Sequence, residues 1–405
     1  MSLDFNGKNL SKIRESNLEI VIKLLLEQGT CSRVYLARKT GLKQATITNI
    51  INLLLEWNVV MESGVIDGKV GRKSIAICIN QNRYRTIGIR ISRKNIHIGV
   101  FSLDGNMLEY ETLPLPPSSN ENEIAGLLES GMERFYLKYR EKGILGIGIA
   151  LPGVYAPNRD IIHLYGQKLI PDDIVSRLSK RFGLRTFIEN DANCGALAQY
   201  WYKKGKTYGN IVSITVNEGI GAGIIVNGSL YTGANGNAGE IGHMSIDYEG
   251  PVCTCGNRGC LELYCSTDAF LQKCRREAQQ NAGLEAYCDK TLIELLEDVQ
   301  KGEPFPTRIF EECCNYLGLG IVNMINLYDP QLIVISGKMT VAGNVLLDAV
   351  KRAVSMIIMA DRMKNVHIRL SEFEDKSVIC GATALVVDHV LKTPTEVFQQ
   401  LNAKT

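Results

Sequence analysis

No stretch of the 405-residue chain approaches the ~20 consecutive apolar residues that a membrane span requires, and no N-terminal run carries a secretory pattern. Both absences lead to the expectation of a cytoplasmic protein with no membrane partner. The chain also lacks the composition of a disulfide scaffold, because its 12 cysteines are scattered through a long sequence. Cys31, Cys78, Cys194, Cys265, Cys274, Cys288, Cys313, Cys314 and Cys380 read as reduced, small apolar fillers. A strong overall charge is missing too: the net is +2, with 45% apolar and 22% charged residues, which is ordinary for a globular protein. No internal repeat is visible in the letters, and the length points to two or three cores.

What charge there is lies unevenly. Residues 1–85 hold 13 Lys and Arg against 7 Asp and Glu, a net of +6, so the other 320 residues hold 32 against 36, a net of −4. A small basic module ahead of a mildly acidic body points to a polyanionic partner for the first part only.

The basic module reads as three helices and a hairpin. Leu18 to Glu27 places Ile20, Val21, Leu24 and Leu25 at helical spacing and stops at Gly29. Ser32 can cap a second helix, Arg33 to Thr40, ending at Gly41, and a third runs from Lys43 to Trp57 with Ile47, Ile50, Ile51 and Leu54 on one face. The short turn between the last two is a helix-turn-helix signature. Two strands from Val59 and to Ile79, joined by a glycine-rich basic tip, complete a winged helix-turn-helix over residues 1–82. In such a module Lys43, Gln44, Thr46, Thr48 and Asn49 meet base edges or phosphates of operator DNA, and Arg72 and Lys73 of the wing meet the backbone or minor groove. The bland alternative is a protein-interaction module with a solvated basic face.

From Tyr84 the pattern becomes α/β: a strand hairpin, a helix from about Glu121 to Lys142, the buried strand Ile144 to Ala150, a short helix and the strand Leu184 to Ile188. A second set opens with the hairpin at Ile211 to Val226 and ends in helices and the strand Leu332 to Ser336, read as the last. Lobes over 83–200 and 201–405, the second including the C-terminal helices, make a duplicated body with a cleft between them.

Two clusters carry chemistry. His243, Cys253, Cys255 and Cys260 fall within eighteen residues, the density of a four-ligand knot, and three thiolates with one imidazole suit structural Zn²⁺. Cys265 is near enough in sequence to be a rival ligand. With four protein ligands the ion would have no open position for catalytic water. Glu189-Asn-Asp-Ala-Asn193 sits at a strand end, where an α/β sheet binds ligands, although Asn190 or Asp191 could simply cap the next helix. With Pro152-Gly153 and with Glu240 beside His243, Asn190-Asp191 would offer the acceptors that a polyol requires.

Glu240-Ile-Gly-His243 with Cys253-x-Cys255-Gly-x-x-Gly-Cys260-x-Glu262, Glu189-Asn-Asp-Ala-Asn193, Gly219-Ile-Gly-Ala-Gly223 and the winged helix together resemble the ROK family of repressors, open reading frames and sugar kinases. The resemblance spans nearly the whole chain. It implies a two-lobed, actin-like sugar-kinase body, zinc at the four ligands above, and a sugar held by Asn190, Asp191, Glu240, His243 and Glu262, with His243 using one ring nitrogen for zinc and the other for a sugar hydroxyl. Kinase members carry an aspartate and a paired-glycine loop with threonine in the first hairpin. Here Arg90 replaces the acid, and Ser92 and Arg93 replace the glycines, so phosphoryl transfer loses both positioning and charge neutralisation. Glu218, in the second phosphate turn, would repel a polyphosphate.

The resulting expectation is a non-enzymatic, sugar-responsive transcriptional repressor resembling the xylose-operon and N-acetylglucosamine repressors. It would act on palindromic operator DNA as a homodimer or dimer of dimers, with a sugar or sugar phosphate as effector. The alternatives are an ATP-dependent sugar kinase with a DNA-binding appendage, and a repressor whose signal is a protein.

Overall fold

The structure is a computed structural model that describes residues 5–67, 73–92, 94–116, 119–153, 163–164, 167–168, 170–202, 207–358, 365–373 and 376–402. The first helix, α1 (Phe5–Gln28), begins well before the expected Leu18. Its buried stripe is Leu18, Val21, Ile22 and Leu25, whereas Ile20 is 43% exposed. A strict i, i+3, i+4 register from Leu18 explains the shift: Ile20, two residues on, falls about 200° round the helix on the opposite face. After a two-residue strand, β1 (Cys31–Ser32), helix α2 (Arg33–Thr40) starts where the Ser32 side chain accepts from the Tyr35 amide at 3.1 Å and stops at Gly41, φ 73°. Helix α3 (Gln44–Glu56) buries Ile47, Ile50, Ile51 and Leu54, as its periodicity requires. Strands β2 (Val60–Asp67) and β3 (Lys73–Ile79) form the antiparallel wing, and β1 adds to the free side of β3.

The body repeats one topology twice. Strands β4 (Arg85–Ile91), β5 (Asn95–Ser102) and β6 (Met107–Pro114) form an antiparallel meander. Helix α4 (Glu121–Tyr139) leads to β7 (Ile144–Leu151), which pairs parallel with β4. After the short strands β8 (His163–Leu164) and β9 (Gln167–Lys168), helix α5 (Ile174–Phe182) leads to β10 (Thr186–Asn190), parallel to β7. Helix α6 (Asp191–Tyr202) crosses to the second sheet. There β11 (Ile211–Val216), β12 (Ile220–Val226) and β13 (Ser229–Leu230) form the meander. The helices that follow are α7 (Glu262–Cys265), α8 (Thr267–Gln280), α9 (Leu292–Lys301) and α10 (Pro304–Tyr328). Next come β14 (Leu332–Ser336), α11 (Asn344–Ile357) and β15 (His367–Leu370). Both five-stranded sheets therefore run meander edge to centre and then two parallel strands, β6-β5-β4-β7-β10 and β13-β12-β11-β14-β15. The duplication expected from pattern alone is present in the pairing order.

Two expectations are corrected here. Leu332–Ser336 is not the last strand, because the crossover α11 returns β15 parallel to β14. The C-terminal helices do not stay with the second sheet: α12 (Ser377–Lys392) lies against β4, β7 and α6, and α13 (Pro394–Asn402) reaches α1. Glycine makes the first of these contacts possible. A Cβ on Gly148 of β7 would stand 1.8 Å from the Ala382 carbonyl oxygen, so only a bare backbone admits α12 onto the sheet.

Candidate functional site

The knot is assembled from a 3-10 turn, Ile241–His243, and the loop that ends at α7. One ligand atom from each of His243, Cys253, Cys255 and Cys260 lies within 4.8 Å of all the others, and no other such group of His, Cys, Asp or Glu is found among the described residues. Cys265, the rival, points elsewhere and donates to the Leu261 carbonyl at 3.4 Å. The spacing suits a metal. Cys255 Sγ lies 3.7 Å from Cys260 Sγ, and Cys253 Sγ 3.7 Å from His243 Nδ1. A tetrahedron with metal–sulfur bonds of ~2.3 Å has edges of about 3.8 Å. Burial and the neighbouring thiols of Cys253 and Cys255 push Cys260 up to about 12, so Cys260 resists ionising beside them unless a cation shares the charge.

The strand-end motif forms the second cluster. Asn190, at the end of β10, caps α6: its Oδ1 accepts from the amides of Ala192 at 2.8 Å and Asn193 at 3.3 Å, and its Nδ2 donates to the Gly153 carbonyl at 2.5 Å. The capping role is thus real, and one amide hydrogen of Asn190 has no partner among the described residues. Asp191, half-buried, is the first residue of α6. Burial pushes its carboxyl above the ordinary range, and the Arg90 guanidinium opposes the shift. Burial likewise raises Glu240, with His243 opposing and the charges of Asp191 and Glu262 adding. Those couplings bring Asp191, Glu240, His243 and Glu262 into one electrostatic neighbourhood. Glu262 is buried against the knot, its Oε1 3.4 Å from His243 Nδ1 and 3.4 Å from Cys253 Sγ. Glu189, absent from the expected set, accepts from Asn193 Nδ2 at 3.0 Å and so braces the motif from beneath.

The positions of the two phosphate turns are filled differently. Arg90 pairs in register with Ala150 of β7, which in turn pairs with Glu189 of β10, so it occupies the row just beneath Asn190. The turn after β4 closes on itself: Ser92 Oγ donates to the Asn95 carbonyl at 2.9 Å and accepts from the Asn95 amide at 3.1 Å. Arg93 lies outside the described residues. In the second lobe Lys338, just beyond β14, donates to Glu218 at 2.5 Å, and its own amide donates to Asn217 Oδ1 at 2.8 Å. Sequence reasoning missed Lys338; the only local signal was Gly337 at the strand tip.

On the winged helix, Lys43, Gln44, Thr48 and Asn49 are exposed along α3, Thr46 is half-buried, and Lys73 is exposed at the start of β3. Arg72 and the rest of the wing tip lie outside the described residues. Thr48 Oγ1 donates to the Gln44 carbonyl at 3.0 Å, so its hydrogen is spent, while its oxygen can still accept and its methyl group can face a partner. Asn52, one turn further along the same face, is also exposed and was not foreseen.

Fold and cleft together define a two-lobed, actin-like body of the sugar-kinase type carrying an N-terminal winged helix. The ROK family profile matches residues 86–389, and the chain belongs to the ROK family. It is similar over nearly its whole length to regulators. The "DNA-binding transcriptional dual regulator NagC" of Escherichia coli K12 is 30% identical over 383 residues, covering 93% of this chain and 94% of the relative. The "Xylose repressor" of Bacillus subtilis 168 is 28% identical over 384 residues, covering 94% and 97%. Among solved structures, a ROK family transcriptional regulator described as a homologue of the E. coli MLC protein superposes with a TM-score of 0.81 at 24% identity, covering 96% of this chain and 100% of that one. A ROK family glucokinase from Streptomyces griseus, solved with glucose and AMPPNP, has a TM-score of 0.65 at 22% identity and covers 74% of this chain and 98% of that one.

Proposed function

We propose that this chain is a sugar-responsive, DNA-binding transcriptional repressor of carbohydrate-utilisation genes whose body has lost kinase activity. The observation that carries the reading is the union, in one chain, of an exposed polar face on α3 with a cleft that gathers Asp191, Glu240 and Glu262 beside the His243, Cys253, Cys255 and Cys260 knot. Full-length similarity to repressors supports it, whereas the kinase neighbour leaves about a quarter of the chain unmatched.

In this reading Zn²⁺ is held by His243 Nδ1 and the three thiolates and supplies order to the loop. The second ring nitrogen of His243, together with Asp191, Glu240, Glu262 and the remaining amide hydrogen of Asn190, takes the sugar hydroxyls. Arg90 gives Asp191 a counter-charge where a kinase would place a carboxylate for magnesium, and the Glu218–Lys338 pair fills the polyphosphate side. Lys43, Gln44, Thr46, Thr48 and Asn49 read or contact DNA, helped by Arg72 and Lys73. A homodimer sets two α3 helices on a palindromic operator, and the sugar acts through its differential affinity for two lobe settings.

The test is binding of the full, zinc-loaded chain to duplexes selected from a random library at fixed salt, with and without D-xylose or N-acetylglucosamine. A sugar-dependent change in affinity is expected. Sequence-specific binding insensitive to every sugar, free or phosphorylated, would instead favour a protein signal, and no enriched duplex would defeat the reading.

A further inference from the structure

The only two tryptophans of the chain both lie where the winged helix meets the body. Trp201, near the end of α6, has the Lys23 ammonium of α1 over its ring at 5.1 Å. Trp57 closes the recognition helix α3, and its ring stacks on Phe398 of α13 with centroids 5.9 Å apart. Phe398, fully buried, also meets the ring of Tyr84 at 5.1 Å. The Trp57 carbonyl is one of the acceptors that a helix C-terminus leaves unsatisfied. It accepts from the Tyr84 hydroxyl at 2.6 Å and from Asn402 Nδ2 at 3.5 Å. At the other end of the same nine-residue helix, the Thr395 amide donates to Glu15 of α1 at 3.3 Å. The tail of the chain therefore fastens both α1 and the end of α3.

The tail is tied as firmly to the cleft. Only Thr393 separates α13 from α12. Helix α12 crosses α6 backbone to backbone, since a Cβ on Gly381 would stand 1.6 Å from the Cys194 carbonyl oxygen. Cys194 is three residues from Asp191, where α6 opens into the candidate sugar site. Backbone meets backbone at that point, and packed interiors transmit strain. Side chains of α1, α3, α6, α12 and α13 share one apolar core.

We propose that α13 is a strap that couples the cleft to the recognition helix: a shift at the Asp191 end of α6 is carried by α12 into α13, which resets α3 through Phe398 and Asn402. This regulation rests on the reading of the chain as a sugar-responsive DNA-binding protein.

The test uses the full, zinc-loaded chain, with the duplex it enriches most from a random library as probe. Trp201→Phe leaves Trp57 as the single fluorescent reporter. In that background Phe398→Ala should red-shift Trp57 emission and change duplex affinity at least tenfold. It should also abolish the effect of D-xylose or N-acetylglucosamine on duplex binding while the active sugar still raises the melting temperature. Phe398→Leu, which keeps an apolar wedge, should restore most of the response. Should Phe398→Ala fail to fold, Asn402→Ala serves, with the sugar effect expected to fall at least threefold. Duplex affinity within twofold of the parent together with an undiminished sugar effect, in whichever of the two variants folds, overturns the strap. If the parent responds to neither sugar, it is the sugar reading that fails, and the change in duplex affinity alone then decides the strap. If no duplex is enriched, both fall.

Discussion

Two groups of charges around the candidate site differ in what they are free to do. On the side of α6 and the knot, Asp191 and Glu240 are carboxylates held in partial burial with no ion pair of their own among the described residues, and such groups gain from a hydroxyl donor. At the two phosphate turns the charges are engaged: Lys338 pairs with Glu218, and Arg90 lies in the field of both Glu218 and Asp191. In the proposed reading the first group receives a neutral polar ligand, and the second sets internal charge where a kinase would hold phosphate. A sensor can descend from an enzyme by that route without changing the fold, because the fold lives in the two sheets and the chemistry lives at their ends.

Substitutions can break this contrast in order of expected effect. Cys255→Ser should be the largest, removing tight zinc binding, lowering the melting temperature and weakening sugar binding at least tenfold; metal content with thermal melting checks it. Full zinc and full sugar affinity in that variant would mean that the knot does not brace the pocket. Next comes Asp191→Asn. Loss of a charged acceptor costs about 1.5–3 kcal/mol, or roughly tenfold to a hundredfold in sugar affinity by calorimetry. The same change should raise stability at neutral pH. A carboxyl whose folded pKa is raised binds protons more readily when folded, so its penalty is full above the folded pKa and disappears as the pH falls below the unfolded value. Melting curves of the two proteins should therefore diverge at pH 7 and converge toward pH 4. Divergence that grows on acidification would reverse the assigned cause.

At the phosphate turns the effects should be smaller. Arg90→Asp with Ser92→Gly supplies an acid and one glycine, yet it should give no measurable ADP release, because Glu218, paired with Lys338, still occupies the second turn. Turnover in that double variant would place the whole loss of catalysis in the first hairpin. Smallest of all is Lys338→Ala, which breaks an exposed pair worth about 0–1 kcal/mol and should leave sugar affinity within twofold by the same calorimetry. A tenfold loss there would show that the phosphate side still contacts the ligand.

The features legible in the sequence are those written within a few turns of chain. Ser32 and Gly41 bracket α2, four apolar residues stripe α3, and the knot lies within eighteen residues, so local rules suffice. Asn190 carried two readings, cap and ligand, and the structure gives it the cap while leaving it beside the cleft. The duplication was only half visible because it resides in strand order, which pairing creates and no single segment encodes. Strand β15 has four residues and depends on the α11 crossover, so its own letters carry little signal. Long-range partners were out of reach: Glu218 and Lys338 are 120 residues apart, and Trp57 and Asn402 are 345 apart.

The most direct test of the central claim follows sugar binding and phosphoryl transfer in one zinc-loaded sample. The sugar that raises the melting temperature is titrated by calorimetry and then incubated with ATP and Mg²⁺ while ADP release is followed by a coupled assay. The account predicts saturable sugar binding with no ADP release above background. Sugar-dependent turnover at ordinary kinase rates, on the order of 1–100 s⁻¹, would contradict it.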